Sequence, residues 1–171
     1  MKREKVKSWT LEDFTPEVKI GNGQYGTVYK AIENRSNFTI ALKVINIDKI
    51  AEHDFFAQTK SEIEIHHRLR HPNILKLFGY FYDETSVYVV LEYAPYGNLY
   101  QKIKREKSLS EQLARKILRQ LIDALIYMRD RNIIHRDIKP ENILLMDLEG
   151  NIKLSDFGWA TKALYENRLT F

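Results

Sequence analysis

An α+β fold of two lobes is predicted by three observations on this 171-residue sequence. Segments rich in β-branched and aromatic residues crowd the first half, and segments with helical spacing fill the second. Between them Ala94-Pro95-Tyr96-Gly97 interrupts both patterns and sets a hinge near Glu92 to Gly97. With 44% hydrophobic and 29% charged residues the composition is that of a globular protein. A chain of this length that closes one core buries roughly 70% of its unfolded surface.

The elements follow in order. Met1 to Thr10 is basic and polar with no apolar core, so no secretory signal is visible. Strand-like runs cover Thr27 to Ile32, Thr39 to Ile45, Leu75 to Phe81 and Ser86 to Glu92. A helix is expected from about Phe55 to Leu69, ending at Arg70-His71-Pro72 because proline cannot continue it. Ser108 with Glu111 reads as a capping box opening a long helix from about Ser110 to Arg131. On it Leu113, Ile117, Leu118, Leu121, Leu125 and Met128 recur as one wide apolar stripe that needs a partner. The chain has no internal repeat and no low-complexity segment.

Composition excludes several classes. The absence of cysteine removes disulfides and thiolate metal sites. Val87 to Leu91 and Ile143 to Met146 are far shorter than the ~20 apolar residues of a membrane span, so no membrane insertion is expected and an intracellular protein is the default. The net charge of +4 is dispersed among acidic residues. Its densest cluster, Lys102, Lys104, Arg105 and Lys107, lacks an aromatic stacking platform and reads as a solvated helix end, not as a nucleic-acid site.

The chemistry concentrates in His135-Arg136-Asp137-Ile138-Lys139-Pro140-Glu141-Asn142, followed fourteen residues later by Asp156-Phe157-Gly158. This combination resembles the signature of protein kinases. The resemblance implies that Asp137 orients and deprotonates an acceptor hydroxyl, that Lys139 stands beside the migrating phosphate, and that Asn142 and Asp156 hold Mg²⁺. A phosphoryl transition state is largely dissociative, so positioning matters more than covalent help.

Gly21-Asn22-Gly23-Gln24-Tyr25-Gly26-Thr27-Val28 fits G-x-G-x-x-G-x-V between strand-like segments. Without Cβ atoms its backbone N–H groups can approach phosphate oxygens. A dinucleotide fingerprint would open a helix inside the motif, whereas Thr27-Val28-Tyr29 continues as strand. Ala41-Leu42-Lys43 sets a lysine in an apolar strand, where an unpaired ammonium is costly. Glu62, nineteen positions on, can supply the anion, and Lys43 then points at the α- and β-phosphates. Glu64 is the competitor, about 200° around the helix from Glu62.

Trp9-Thr10-Leu11-Glu12-Asp13-Phe14, Arg70-His71-Pro72-Asn73-Ile74-Leu75, Gly79-Tyr80-Phe81, Leu91-Glu92-Tyr93-Ala94-Pro95 and Asp156-Phe157-Gly158-Trp159 resemble the aurora kinases. The resemblance implies a tail at 1–12, a small lobe at 13–94 with a five-stranded sheet and one regulatory helix, and the first part of a helical large lobe at 95–171. It implies ATP as cofactor with Mg²⁺. Leu91 becomes the gatekeeper and Glu92, Tyr93 and Ala94 the hinge that bonds adenine, with Val28, Ala41 and Leu144 sandwiching the purine. Glu141, Asn142 and Asp156 complete the nucleotide site. His66, Leu77, His135 and Phe157 would stack as a regulatory column.

Lys139, two residues after the base, implies a serine/threonine acceptor. Protein substrates with Arg-x-Ser/Thr motifs are implied, with Glu141 pairing the arginine. Asn98 stands where some basophilic kinases carry a second acidic residue. Arg168-Leu169-Thr170 itself has the favoured form, making Thr170 a candidate phosphosite whose phosphate pairs with Arg136. Ser61 replaces the basic residue that aurora kinases carry before the helix glutamate, leaving Lys60 nearby. An activator or scaffold protein docking on the small lobe is implied, and so is association with the spindle, centrosome or centromere in cytoplasm or nucleus. The family pattern continues past Phe171 through Cys-Gly-Thr, a Pro-Pro-Glu anchor and further helices. The expectation is therefore a truncated aurora-like kinase with its own turnover open. The alternative is a nucleotide-binding or regulatory module without turnover.

Overall fold

Strand pairing sorts the residues of the first half onto two faces. The computed structural model describes residues 9–22, 26–47 and 56–163. Strands β1 (Phe14–Asn22), β2 (Gly26–Glu33), β3 (Phe38–Asn46), β4 (Leu77–Tyr82) and β5 (Ser86–Glu92) form one antiparallel sheet in the order β1-β2-β3-β5-β4. This is the five-stranded sheet expected of a kinase small lobe. Residues directly opposite in such a ladder point to the same side. Ala31 faces Ile40, Leu42 faces Val90, and Phe81 faces Tyr88, so these six residues share one side. They form its buried core together with Phe14. Phe14 stacks on Phe81 at 5.5 Å between centroids, Phe81 stacks on Tyr88 at 4.7 Å, and Trp9 meets Phe14 edge-on at 5.6 Å.

Local hydrogen bonds fix the ends of these strands. Thr10 N donates to the Asp13 carboxylate at 2.9 Å across the 3₁₀ turn Leu11–Asp13, which delivers Phe14 to the core. At the β4–β5 turn Asp83 accepts from Thr85 N at 2.8 Å, Ser86 N at 2.9 Å and the Tyr88 hydroxyl at 2.8 Å.

The structure adds one strand to the expected runs and shortens another. β1 leaves no alternation in the sequence because Val18 is 54% exposed, Ile20 is 45% exposed, and the pairing slips at Pro16/Val18 and again at Lys19/Gly21. β4 begins at Leu77, not Leu75, because Leu75 N donates to Leu154 O at 2.9 Å.

Helix α1 (Phe56–Arg68) stops one residue short of the expected end, where Leu69 N turns back to His66 O at 3.0 Å. Helix α2 (Leu99–Glu106) is capped by Asn98, whose side chain accepts from Gln101 N at 2.9 Å. It ends with Lys107 in the left-handed region at φ 63°. The basic cluster is therefore a helix end, and Lys102 pairs with Glu106 at 2.9 Å. Helix α3 (Glu111–Arg129) is capped by Ser110, whose hydroxyl accepts from Leu113 N at 3.2 Å. Ser108 is not the cap, because the chain is still extended at Ser110. The apolar stripe is narrower than expected. Ile117, Leu121, Ala124 and Met128 are buried, whereas Leu118, about 100° from Ile117, is 56% exposed.

Gln120 ties two segments to α3. Its amide donates to Gly150 O at 2.8 Å, and its carbonyl accepts from Asn73 Nδ2 at 2.9 Å and Ile152 N at 3.1 Å. Tyr127 accepts from Arg70 N at 2.8 Å through its hydroxyl. Short pairs β6 (Ile133–Ile134) with β9 (Thr161–Lys162) and β7 (Ile143–Leu145) with β8 (Ile152–Leu154) complete the fold. Their core unites Ile65, Leu69, Ile74, Ile117, Leu121, Met128, Leu154 and Phe157.

The chain divides into two compact units, one of Met1–Phe56 with Leu77–Tyr93, the other of Ala57–Lys76 with Ala94–Phe171. Apart from Phe56, α1 belongs to the second. Among the described residues no helix is long and apolar enough to cross a membrane.

Candidate functional site

In the first unit, ladder register carries the expected nucleotide residues onto the sheet face away from the aromatic core. Val28 faces Lys43, Lys30 faces Ala41, and Ala41 faces Leu91. Lys43, Leu91, Glu92 and Tyr93 are half-buried. At the glycine motif, Gly21 pairs with Val28 and Asn22 with Thr27. A Cβ on Gly26 would stand 2.0 Å from Val44 O, so only glycine fits this register. A Cβ on Gly21 would meet Val28 at an ordinary 3.8 Å. Gly23, Gln24 and Tyr25 lie outside the described residues.

In the second unit, β6 leads into His135 and a turn in which Arg136 holds φ 68°. The loop folds on itself around Asp137. Lys139 Nζ lies 2.7 Å from Asp137 Oδ2, and Asn142 Nδ2 donates to the same oxygen at 3.0 Å and to Asp137 O at 2.9 Å. A 3₁₀ turn at Pro140–Asn142 returns the chain so that this is possible, leaving Glu141 exposed and Asn142 buried. Leu144 follows in β7, half-buried opposite Lys153, and Ala94 is half-buried in the same unit.

Asp156 is reached directly from this loop. Ser155 donates to Asn142 O from its backbone at 2.8 Å and from its hydroxyl at 3.0 Å. Asp156 then takes φ 61° and accepts from Gly158 N at 3.3 Å. Glu62, on α1, comes close to the same turn: a Cβ on Gly158 would lie 3.5 Å from Glu62 Oε2. Glu64 is exposed. Phe157 is fully buried between His66 and His135, with centroids 4.4 and 4.9 Å away. Three members of the expected column thus meet in one unit, while Leu77 lies buried in β4 of the other.

Electrostatics follow from these bonds. Lys139, and after it Asn142, holds the Asp137 carboxyl below the usual carboxylate range, and Asp137 in turn raises Lys139. Burial pushes His135 down. Its Nδ1 accepts from Asp137 N at 3.3 Å and its Nε2 faces Ser155 O at 3.0 Å, which suits the neutral ring protonated on Nε2.

The donor set fits a hard divalent cation. With its side-chain NH2 donating to Asp137 O and Oδ2, the Asn142 side-chain oxygen Oδ1 accepts no hydrogen bond among the described residues. That oxygen and the exposed Asp156 carboxylate are the expected pair of oxygen ligands. Among the described residues no group of three or more His, Asp or Glu is arranged to hold a metal alone. Mg²⁺ keeps several waters and leans on substrate phosphates, so two protein oxygens suffice for it.

Three contacts lie outside the sequence expectations. Ser155 has no composition signal, since a serine before Asp-Phe-Gly reads as loop. Arg136, expected to face a phosphothreonine, donates from Nε to Trp159 O at 2.5 Å; Arg168 and Thr170 lie outside the described residues. Lys30 sits 5.8 Å from the centroid of the Tyr93 ring. Only pairing register brings those two residues together.

Comparison with known proteins agrees with this geometry. A family model described as protein kinase domain matches residues 14–170. The serine/threonine-protein kinase Aurora-1 of Arabidopsis thaliana is 45% identical over 95% of this chain and 55% of its own length. The aurora kinase of Dictyostelium discoideum is 44% identical over 96% of this chain and 43% of its own. Aurora kinase B of Mus musculus is 43% identical over 91% and 45% respectively. The chain therefore spans about half the length of the curated relatives it matches.

Proposed function

We propose, from the premise that this chain belongs to the protein kinase family and to the aurora-like serine/threonine kinases within it, that it transfers the γ-phosphate of ATP to protein Ser/Thr hydroxyls. The observation that carries this reading is the closed triangle of Asp137, Lys139 and Asn142, tied through Ser155 to Asp156.

Protein kinases use ATP and Mg²⁺ generally. When bound, the cation supplies charge neutralisation on the phosphates, and Asn142 Oδ1 and the Asp156 carboxylate are the groups assigned to hold it. Asp137 stays ionised at neutral pH and presents Oδ1, the oxygen not occupied by Lys139 and Asn142, to the acceptor hydroxyl. A carboxylate held this low is a weak base, so its first task is orientation, with the proton accepted late as the phosphoryl group moves. Lys139 is then shared between Asp137 and the migrating phosphoryl oxygens. Within the first unit, Val28, Ala41 and Leu91 to Tyr93 are assigned to the purine, and the Gly21 to Gly26 motif and Lys43 to the phosphates.

Arg-x-Ser/Thr peptides are the proposed acceptors, with the exposed Glu141 reading the arginine. A small-lobe activator and a mitotic, intracellular setting are proposed from the same kinship. The acceptor assignment is tested by comparing kcat/KM for a peptide with arginine two residues before serine and for its alanine counterpart. The arginine peptide should be favoured at least tenfold, and Glu141→Gln should erase most of that preference. Equal use of both peptides would remove Glu141 from this role.

A further inference from the structure

Lys30, Glu17 and Tyr93 come from three segments of the first unit and meet on the face that carries Val28, Ala41 and Lys43. The ladder explains the meeting. Lys30 lies opposite Ala41, Ala41 lies opposite Leu91, and Tyr93 follows Leu91 by two positions, so the side chains alternate back to the same side. Glu17 is the extra residue of the register slip between Pro16 and Val18 on the edge strand. Bulges of this kind re-aim a side chain, and here Glu17 reaches Lys30 Nζ at 2.6 Å. The ammonium is thereby held 5.8 Å from the Tyr93 ring centroid, within cation–π range. Both members of the ion pair keep about a third of their side-chain surface exposed, 31% and 35%, so the pair is not a core device.

We infer that Lys30 is a positioning residue for the purine end of the site: steered by Glu17, its ammonium fixes the Tyr93 ring and with it the backbone assigned to adenine. This rests on the kinase reading above and names a further residue in that same site. No motif resemblance singled out Lys30 or Glu17. The edge strand β1 is coupled through them to the segment that leaves β5.

The direct test is calorimetry of Mg-ATP binding to the full chain as parent, Lys30→Met, Lys30→Arg, Tyr93→Leu and the Lys30→Met/Tyr93→Leu double variant, each with its thermal midpoint. An exposed cation–π contact predicts a rise in Kd of about two- to fivefold for Lys30→Met. Lys30→Arg should restore parent affinity, because guanidinium also stacks on an aromatic face. In the Tyr93→Leu background Lys30→Met should have no further effect, since its target is gone. Unchanged affinity in Lys30→Met overturns the inference, and so does an equal loss in the Tyr93→Leu background. If the parent binds no Mg-ATP while its thermal midpoint shows it folded, the kinase reading itself fails and the inference falls with it.

Discussion

Asn142 and Lys139 donate to the same oxygen of Asp137, at 3.0 and 2.7 Å, and among the described residues no hydrogen bond reaches the other oxygen. One side of the carboxylate is thus spent on holding the loop in shape, and the other keeps its lone pairs for an incoming donor. The loop's own sequence makes this possible: Pro140 starts the 3₁₀ turn that brings Asn142 back onto the residue it follows by five positions.

Removing Lys139 should move the pH dependence of turnover. Because Lys139 is the largest influence lowering Asp137, Lys139→Met lets the carboxyl rise toward its ordinary value near ~3.9. The acid limb of kcat/KM then shifts to higher pH, and the plateau falls by about a hundredfold through loss of charge on the transferring group. Steady-state rates from pH 3 to 7, with the thermal midpoint followed over the same range, check both. An unshifted acid limb would show that another group sets it.

His135 makes acid destabilising. Its folded pKa is lowered by burial, while the unfolded value is near ~6.5. The stability tied to its neutral form is therefore fully present above about pH 6.5 and is lost as pH falls through the folded value. His71, also lowered by burial, contributes with the same sign. Urea midpoints should fall between pH 7.5 and 5, and His135→Gln should be less stable at pH 7.5 but fall less steeply. Parallel slopes would remove His135 from the transition.

Asp83 adds a separate acid transition in the first unit. Thr85 N is the largest cause and the Tyr88 hydroxyl the next of a carboxyl lowered to about 2. Its contribution is complete above about pH 3.9 and is lost as pH falls toward 2. Asp83→Ala should lower the thermal midpoint at pH 6 and narrow its distance from the parent at pH 2.5. A constant difference at both pH values would contradict the assignment.

These elements were unequally legible in the sequence. β2, β3 and β5 announce themselves because most of their β-branched and aromatic residues are held by neighbouring strands. β1 does not, since an edge strand with two register slips leaves Val18 and Ile20 outside. Ser108 and Ser110 offer the same hydroxyl to the start of α3, and what decides for Ser110 is that its extended backbone sets its hydroxyl 3.2 Å from Leu113 N. Leu118 fitted the helical period yet points outward, because spacing alone does not fix the width of a buried stripe. The folding of the His135 to Asn142 loop around Asp137 was within reach of the sequence since its residues are close neighbours along the chain. The Glu17, Lys30 and Tyr93 meeting was not, being a product of register across the four strands β1, β2, β3 and β5.

Of the two described glycines of its motif, Gly26 should be the less replaceable. The Cβ of Gly26→Ala would fall 2.0 Å from Val44 O, a backbone atom that cannot swing aside. Overpacking of this kind typically costs about 1–3 kcal/mol. Urea denaturation should show that loss for Gly26→Ala and a much smaller one for Gly21→Ala, where the new methyl meets Val28 at 3.8 Å. Equal effects at the two positions would contradict the register.

Transfer of labelled phosphate from ATP to an Arg-x-Ser/Thr peptide, compared between the parent chain and Asp156→Asn, tests the central claim most directly. Asp156→Asn removes the charge assigned to the cation while keeping an oxygen and the size of the side chain. The kinase assignment predicts Mg²⁺-dependent incorporation by the parent and a loss of at least a hundredfold in the variant. Equal incorporation by both chains would contradict it.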